Sequence, residues 1–141
     1  AKKTVTVTKG WSEAYGMFLK GEADLVLSYT TSPAYHRLAE QKQQYHAALF
    51  DEGHYRQVEV AARLKSSKQP ELAARFLKFM LSEQFQSLIP TGNWMYPVTQ
   101  VALPEGFNQN ETPVKTLHLD EAQIASQRKA WLQEWRGAVS Q

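Results

Sequence analysis

Four aromatic residues, Trp11, Tyr29, Tyr35 and Trp94, fall where secondary-structure elements begin or end. Ring faces carry negative potential, so a cluster of such rings suits a flat or cationic ligand held by stacking and cation–π contact. The same rings can instead cap a hydrophobic core from outside, and their positions in the sequence leave both readings open. Ser12 follows Trp11 at a helix opening, where free backbone N–H groups suit an anion such as a phosphate. Catalytic signatures are missing: there is no G-x-S-x-G elbow, P-loop, G-x-G-x-x-G or H-E-x-x-H. Asp51, Glu52, His54 and Glu59 make the nearest approach to a metal site. Glu52 and His54 would share one face of a strand, but two ligands do not make a site, and the segment reads as a solvated loop before a strand. His36, His46 and His118 have no partners identifiable by spacing, and nothing nominates a nucleophile. The expected activity is binding, with no catalytic residues, no metal and no cofactor.

The elements that must position these rings follow from periodicity. Thr4 to Thr8 alternates Thr and Val, a short strand pattern. From Ser12 to Lys20 the residues Ala14, Tyr15, Phe18 and Leu19 recur at helical spacing, with Ser12 as N-cap and Gly21 as the stop. Leu25, Val26 and Leu27 in a row predict a strand over 23–29 buried on both faces, as in a parallel sheet. Ser32-Pro33 opens a helix running to about Gln44. Alternation of strand and helix implies an α/β layered fold, whose ligand-facing loops lie at strand ends.

Further along, Tyr55 to Leu64 is the longest strand candidate. Pro70-Glu71 opens a helix with Leu72, Phe76, Leu77, Met80 and Leu81 as its stripe. Ser82 restarts a shorter helix, Glu83 to Ile89, which Pro90 ends. A turn-forming loop carries Trp94 and Tyr96, and the Pro-, Gly- and Asn-rich stretch 103–113 reads as a surface connection. Asp120 with Gln123 resembles a capping box for a last helix bearing Ile124, Trp131, Leu132, Trp135 and Val139 on one side.

Composition narrows the classes. With 141 residues, 43% apolar and 21% charged, the chain has the make-up of a globular domain. A net charge of +2 without Lys/Arg clustering argues against a nucleic-acid partner. No apolar run approaches the roughly 18 residues of a membrane helix, and the first residues show no signal-peptide pattern. The absence of cysteine excludes disulfides and thiolate chemistry.

Three stretches resemble a known family. VTVTKGWSEAYGMFLKGEADLVLSYTTSPAYH (residues 5–36), VEVAARLKSSKQPELAARFLKFMLSEQFQSLIPTGNWMYPV (58–98) and QRKAWLQEWRGAVSQ (127–141) closely resemble the thiamine-binding periplasmic proteins of enteric and related bacteria. SYTTSPAY and IPTGNWMYPV are the most specific pieces. The resemblance implies an α/β chain forming the C-terminal portion of a two-lobed type II periplasmic-binding-protein fold. Residues 1–55 would be part of ligand-binding lobe two, and 56–64 a hinge-crossing strand. Residues 65–98 would supply part of lobe one and the return crossing. Residues 99–141 would be a surface connection and a C-terminal helix packing on lobe two. It also implies that Trp11, Tyr29, Tyr35 and Trp94 match the rings that contact thiamine in the cleft. The implied partners are thiamine or its phosphates, the membrane permease of an ABC transporter, and the missing N-terminal lobe. The implied compartment is the periplasm.

Receptors for other solutes are the main alternative. Related iron(III) receptors typically use two consecutive tyrosines where this chain has Tyr29 followed by Thr30, which argues against iron. Polyamine and sugar receptors also use aromatic clefts.

Overall fold

The computed structural model describes residues 3–140. In chain order the elements are α1 (Trp11–Leu19), α2 (Ser32–Ala39), β1 (His54–Tyr55), α3 (Pro70–Met80), α4 (Glu83–Gln86), α5 (Ile89–Gly92), α6 (Glu105–Asn108), β2 (Thr116–Leu117) and α7 (Glu121–Val139). They fall into two compact units. One holds the described residues up to Ser28 together with those from Leu117 onward; the other holds Tyr29–Thr116.

In the first unit the helix ends follow local rules. The N-cap of α1 lies two residues before the predicted Ser12, at Gly10 in extended backbone, so Ser12 lies in the first turn rather than capping it. Glycine is accepted at that position almost as well as serine. The Glu13 carboxylate accepts the Lys9 N–H at 3.1 Å and ties the entering chain to the first turn. The stop is at Gly21 as predicted. Its φ is +76°, its N–H donates to the Phe18 carbonyl, and the Glu22 N–H donates to Met17. That double closure needs a left-handed residue, which glycine supplies without steric cost. α7 is capped by Asp120, whose carboxylate accepts the Gln123 N–H at 2.9 Å.

In the second unit Pro33 sits in the first turn of α2, as the sequence predicts. The helix is shorter than expected. Gln41 takes a φ of +57°, and the Lys42 N–H closes on the His36 carbonyl at 2.9 Å. Ser82 caps α4 as expected, accepting the Phe85 N–H. Pro90 does not end that helix; it lies in the first turn of α5, where its missing N–H costs nothing. Gln86 is buried between them. Its amide donates to the Met80 carbonyl at 2.6 Å and accepts the Val98 N–H at 2.8 Å.

Two expectations are corrected. Residues 103–113 are not merely a surface connection: α6 forms inside them, and its Gly106 and Phe107 are buried. Phe107 is 2% exposed, and Ala34, His36 and Pro90 are likewise buried in the second unit. Of the strand predicted over Tyr55–Leu64 only Tyr55 is paired, in the two-residue β1 that ladders with β2. Residues 4–8, 23–29 and 56–64 form no ladder. Leu25 is 70% and Leu27 90% exposed, so the burial on both faces predicted for 23–29 is absent. A strand is stabilised by its neighbours, and a lone pair of strands is marginal.

Gly106 is the closest approach in this interior. A Cβ there would lie 2.6 Å from Leu38 Cγ on α2. Gly106→Ala is expected to lower stability by about 1–3 kcal/mol through overpacking. A urea titration checks this: an unchanged midpoint would mean that α6 can draw back from α2.

Candidate functional site

Tyr35 and Trp94, far apart in sequence, meet. Their ring centroids lie 5.0 Å apart at an interplanar angle of 88°, an edge-to-face pair. Tyr35 projects from the first turn of α2 and keeps about a third of its surface open, at 37%. Trp94 follows α5 with a φ of +55°. That region is costly for a bulky residue, and such backbone gathers at functional sites. Behind Trp94 the Phe107 ring lies nearly parallel, 6.4 Å away at 9°. Tyr96 meets Phe107 edge-on at 5.7 Å.

Tyr29 sits three residues before α2. Its hydroxyl donates to the Gln57 side-chain carbonyl at 2.8 Å. In the first unit, Trp11 opens α1 and is half exposed. Its indole N–H donates to Ser28 Oγ at 3.3 Å, and its ring leans on Tyr15 with centroids 4.7 Å apart. Ser12 lies in the first turn of α1, whose Gly10 N-cap makes no side-chain cap hydrogen bond.

Two residues of the possible metal segment, His54 and Glu59, make other contacts. His54 accepts the Phe50 N–H at 3.0 Å and stacks on Phe50. Glu59 accepts from the Asn93 amide at 2.9 Å, beside Trp94. Among the described residues no three His, Cys, Asp or Glu side chains are grouped for a metal. A cavity of about 210 Å³ lies elsewhere in the second unit, lined by Thr30, Pro33, Arg37, His46 and Asn110 among others; none of the five predicted site residues borders it.

Polar partners were invisible in the sequence. His36 is fully buried, its ring 3.9 Å from that of Tyr45 and its Nδ1 2.8 Å from a Glu40 carboxylate oxygen. Lys42 reaches the same oxygen at 3.0 Å. Their helical spacing (i, i+4 for His36 and Glu40) was the one available signal. Hydrogen bonds from His36 and then Lys42 hold the Glu40 carboxyl below its ordinary value, and the bond from Glu40 holds the Lys42 ammonium above its own.

Residues 1–87 match the family described as bacterial extracellular solute-binding protein. The chain belongs to that family. Within the family it is 68% identical over 140 residues to the thiamine-binding periplasmic protein of Escherichia coli K12, which covers 99% of this chain and 43% of that one. It is 48% identical over 141 residues to the protein of the same name from Brucella abortus, at 99% and 42% coverage. A solved structure, the periplasmic thiamin binding protein, superposes with a TM-score of 0.93 at 67% identity, covering 99% of this chain and 44% of that one. The chain thus spans less than half the length of the curated relatives it matches, and its structure is a partial periplasmic-binding-protein fold. No helix among the described residues is long and apolar enough to cross a membrane.

The Glu40 cluster has a pH signature. A depressed carboxyl contributes stability that is complete above its unfolded pKa and lost as pH falls through its folded one. A raised ammonium contributes below its unfolded pKa and loses that contribution as pH rises through the folded value. Glu40→Gln should therefore flatten the acid and alkaline arms of a urea-midpoint profile. The change should be small, because the pair is solvent-accessible. An acid arm as steep as the parent's would show that other carboxylates govern it.

Proposed function

We propose that the chain is the C-terminal portion of a two-lobed periplasmic receptor. It captures thiamine, and thiamine phosphates, in an aromatic cleft and delivers them to the membrane permease of an ABC importer without transforming them. The observation that carries this reading is the Tyr35–Trp94 pair, two rings named from their places at element ends and found 5.0 Å apart. The names of relatives that share 68% and 48% of its residues support it.

Thiamine combines a flat aminopyrimidine with a permanently charged thiazolium. Each ring stacked on it would contribute on the order of 0.5–2 kcal/mol. Tyr35, Trp94, Tyr29 and Trp11 are the proposed wall of the cleft. The first turn of α1 at Ser12 offers N–H groups to a phosphate. Residues 1–55 would belong to lobe two, 56–64 to a hinge crossing, 65–98 to lobe one and the return crossing, and 99–141 to a connection and a helix on lobe two. The apolar residues that stand open along 23–29 and 56–64 fit strands awaiting partners from the rest of such a receptor. Tyr29 argues against an iron site: its hydroxyl already serves Gln57, and Thr30 follows it.

Calorimetric titration of the complete receptor tests this. Tyr35→Ala and Trp94→Ala should each weaken thiamine binding by about 2- to 30-fold. Tyr35→Ala should do so with little loss of stability. A neutral analogue without the thiazolium charge should lose affinity on the parent and be less sensitive to both substitutions. Tight binding of putrescine or iron(III) with none of thiamine would overturn the assignment.

A further inference from the structure

We infer that Arg37 is a positioning residue for Trp94, so that one helix, α2, sets the spacing of both rings of the aromatic pair. The inference rests on the reading of that pair as the ligand-binding wall. Tyr35 is on α2 directly. Two residues on, the Arg37 guanidinium reaches α6: its Nε and Nη2 both donate to the Gly106 carbonyl, at 3.1 and 2.7 Å. Nη2 also donates to the Asn110 side-chain carbonyl, just beyond the end of α6. A single guanidinium therefore ties the Gly106 carbonyl inside this short helix to the Asn110 side chain just beyond it.

What α6 carries is the backing of Trp94. Phe107, next to Gly106, is buried and lies almost parallel to the indole. Asn110 extends the same chain of contacts. Its amide donates to the Tyr96 hydroxyl at 3.2 Å, and Tyr96 presses its ring edge on Phe107. Tyr96 is also two residues from Trp94 along the backbone. The indole thus meets both the Tyr35 ring and the Phe107 ring, which Tyr96 also contacts, and Arg37 pins Phe107's helix to the helix that bears Tyr35. Trp94 cannot relax by its own backbone preference, since its φ of +55° is held against that preference. The guanidinium's planar fork matters here. A lysine offers charge but cannot span two acceptors in fixed geometry.

The test uses the complete receptor labelled with 5-fluorotryptophan and followed by fluorine NMR, with the Trp94 resonance assigned by its loss in Trp94→Phe. In the absence of ligand, Arg37→Lys should shift or broaden the Trp94 resonance and leave those of Trp131 and Trp135 in place. Thiamine affinity of the folded protein should fall about 3- to 30-fold. Asn110→Ala removes only the arm to Tyr96 and should give a smaller shift of the same resonance. If Arg37→Lys and Arg37→Ala lower the melting temperature but leave the Trp94 resonance and the affinity of the folded fraction unchanged, Arg37 merely fastens α6, and the inference is wrong. The cleft reading fails separately, if Trp94→Ala binds thiamine like the parent; the ligand-free resonance then still decides whether Arg37 positions the ring.

Discussion

Phe107 has little help in the second unit: beside it the buried interior is made of Ala34, prolines and the polar side chains of Thr31, His36 and Gln86. Burying such a ring contributes about 1.5–3 kcal/mol, and here the same ring contacts two further rings while its helix approaches α2 closely. Trp94 lies parallel to it, Tyr96 meets it edge-on, and Gly106 brings its helix against Leu38. A larger residue than glycine at 106 would lift the ring away from α2. The geometry of the aromatic pair therefore depends on a contact between two helices that the pair itself does not touch.

The parts of the fold that were legible are those governed by groups a few residues apart. Asp120, Ser82, Gly21 and Pro33 all stand at helix ends as their types predict. Each satisfies or tolerates an unpaired backbone group within one turn. Where two local rules compete, the sequence is less decisive. Gly10 takes the cap from Ser12, and Pro90 opens a helix instead of closing one. Strands are the opposite case. The alternation at 4–8 and the apolar run at 25–27 describe surfaces fit for a sheet, but pairing is decided by chain elsewhere. Phe107 was hidden for a related reason. Its Pro-, Gly- and Asn-rich surroundings have the composition of a loop, and only the close approach permitted by Gly106 makes them interior.

The site divides along the same line. Tyr35 and Trp94 were visible because rings off the apolar stripe of an element are unusual. Their partners were not: Arg37 to Gly106, Tyr29 to Gln57 and Asn93 to Glu59 are joined across long separations in sequence. Hydrogen-bond partners of this kind leave no periodicity behind. The metal segment illustrates the reverse error that spacing invites. Glu52 and His54 share a face on paper, while His54 in fact closes the turn from Phe50.

A receptor that holds a cation through ring faces must solve a problem that one using oxygen ligands does not. Cation–π attraction falls away unless the face is presented squarely and kept dry, and it is worth more when desolvated. Side-chain entropy opposes fixing each ring, so the cost is smallest when the rings are ordered before the ligand arrives. In the proposed cleft each ring of the Tyr35–Trp94 pair is held by protein contacts: Tyr35 by α2 and the neighbouring His36 ring, Trp94 by Phe107. His36 is in turn fixed by Glu40 and Tyr45 beneath it. The part-buried His36–Glu40–Tyr45 cluster and the buried Phe107 then act toward one end, which is to keep two aromatic surfaces at a set angle and separation.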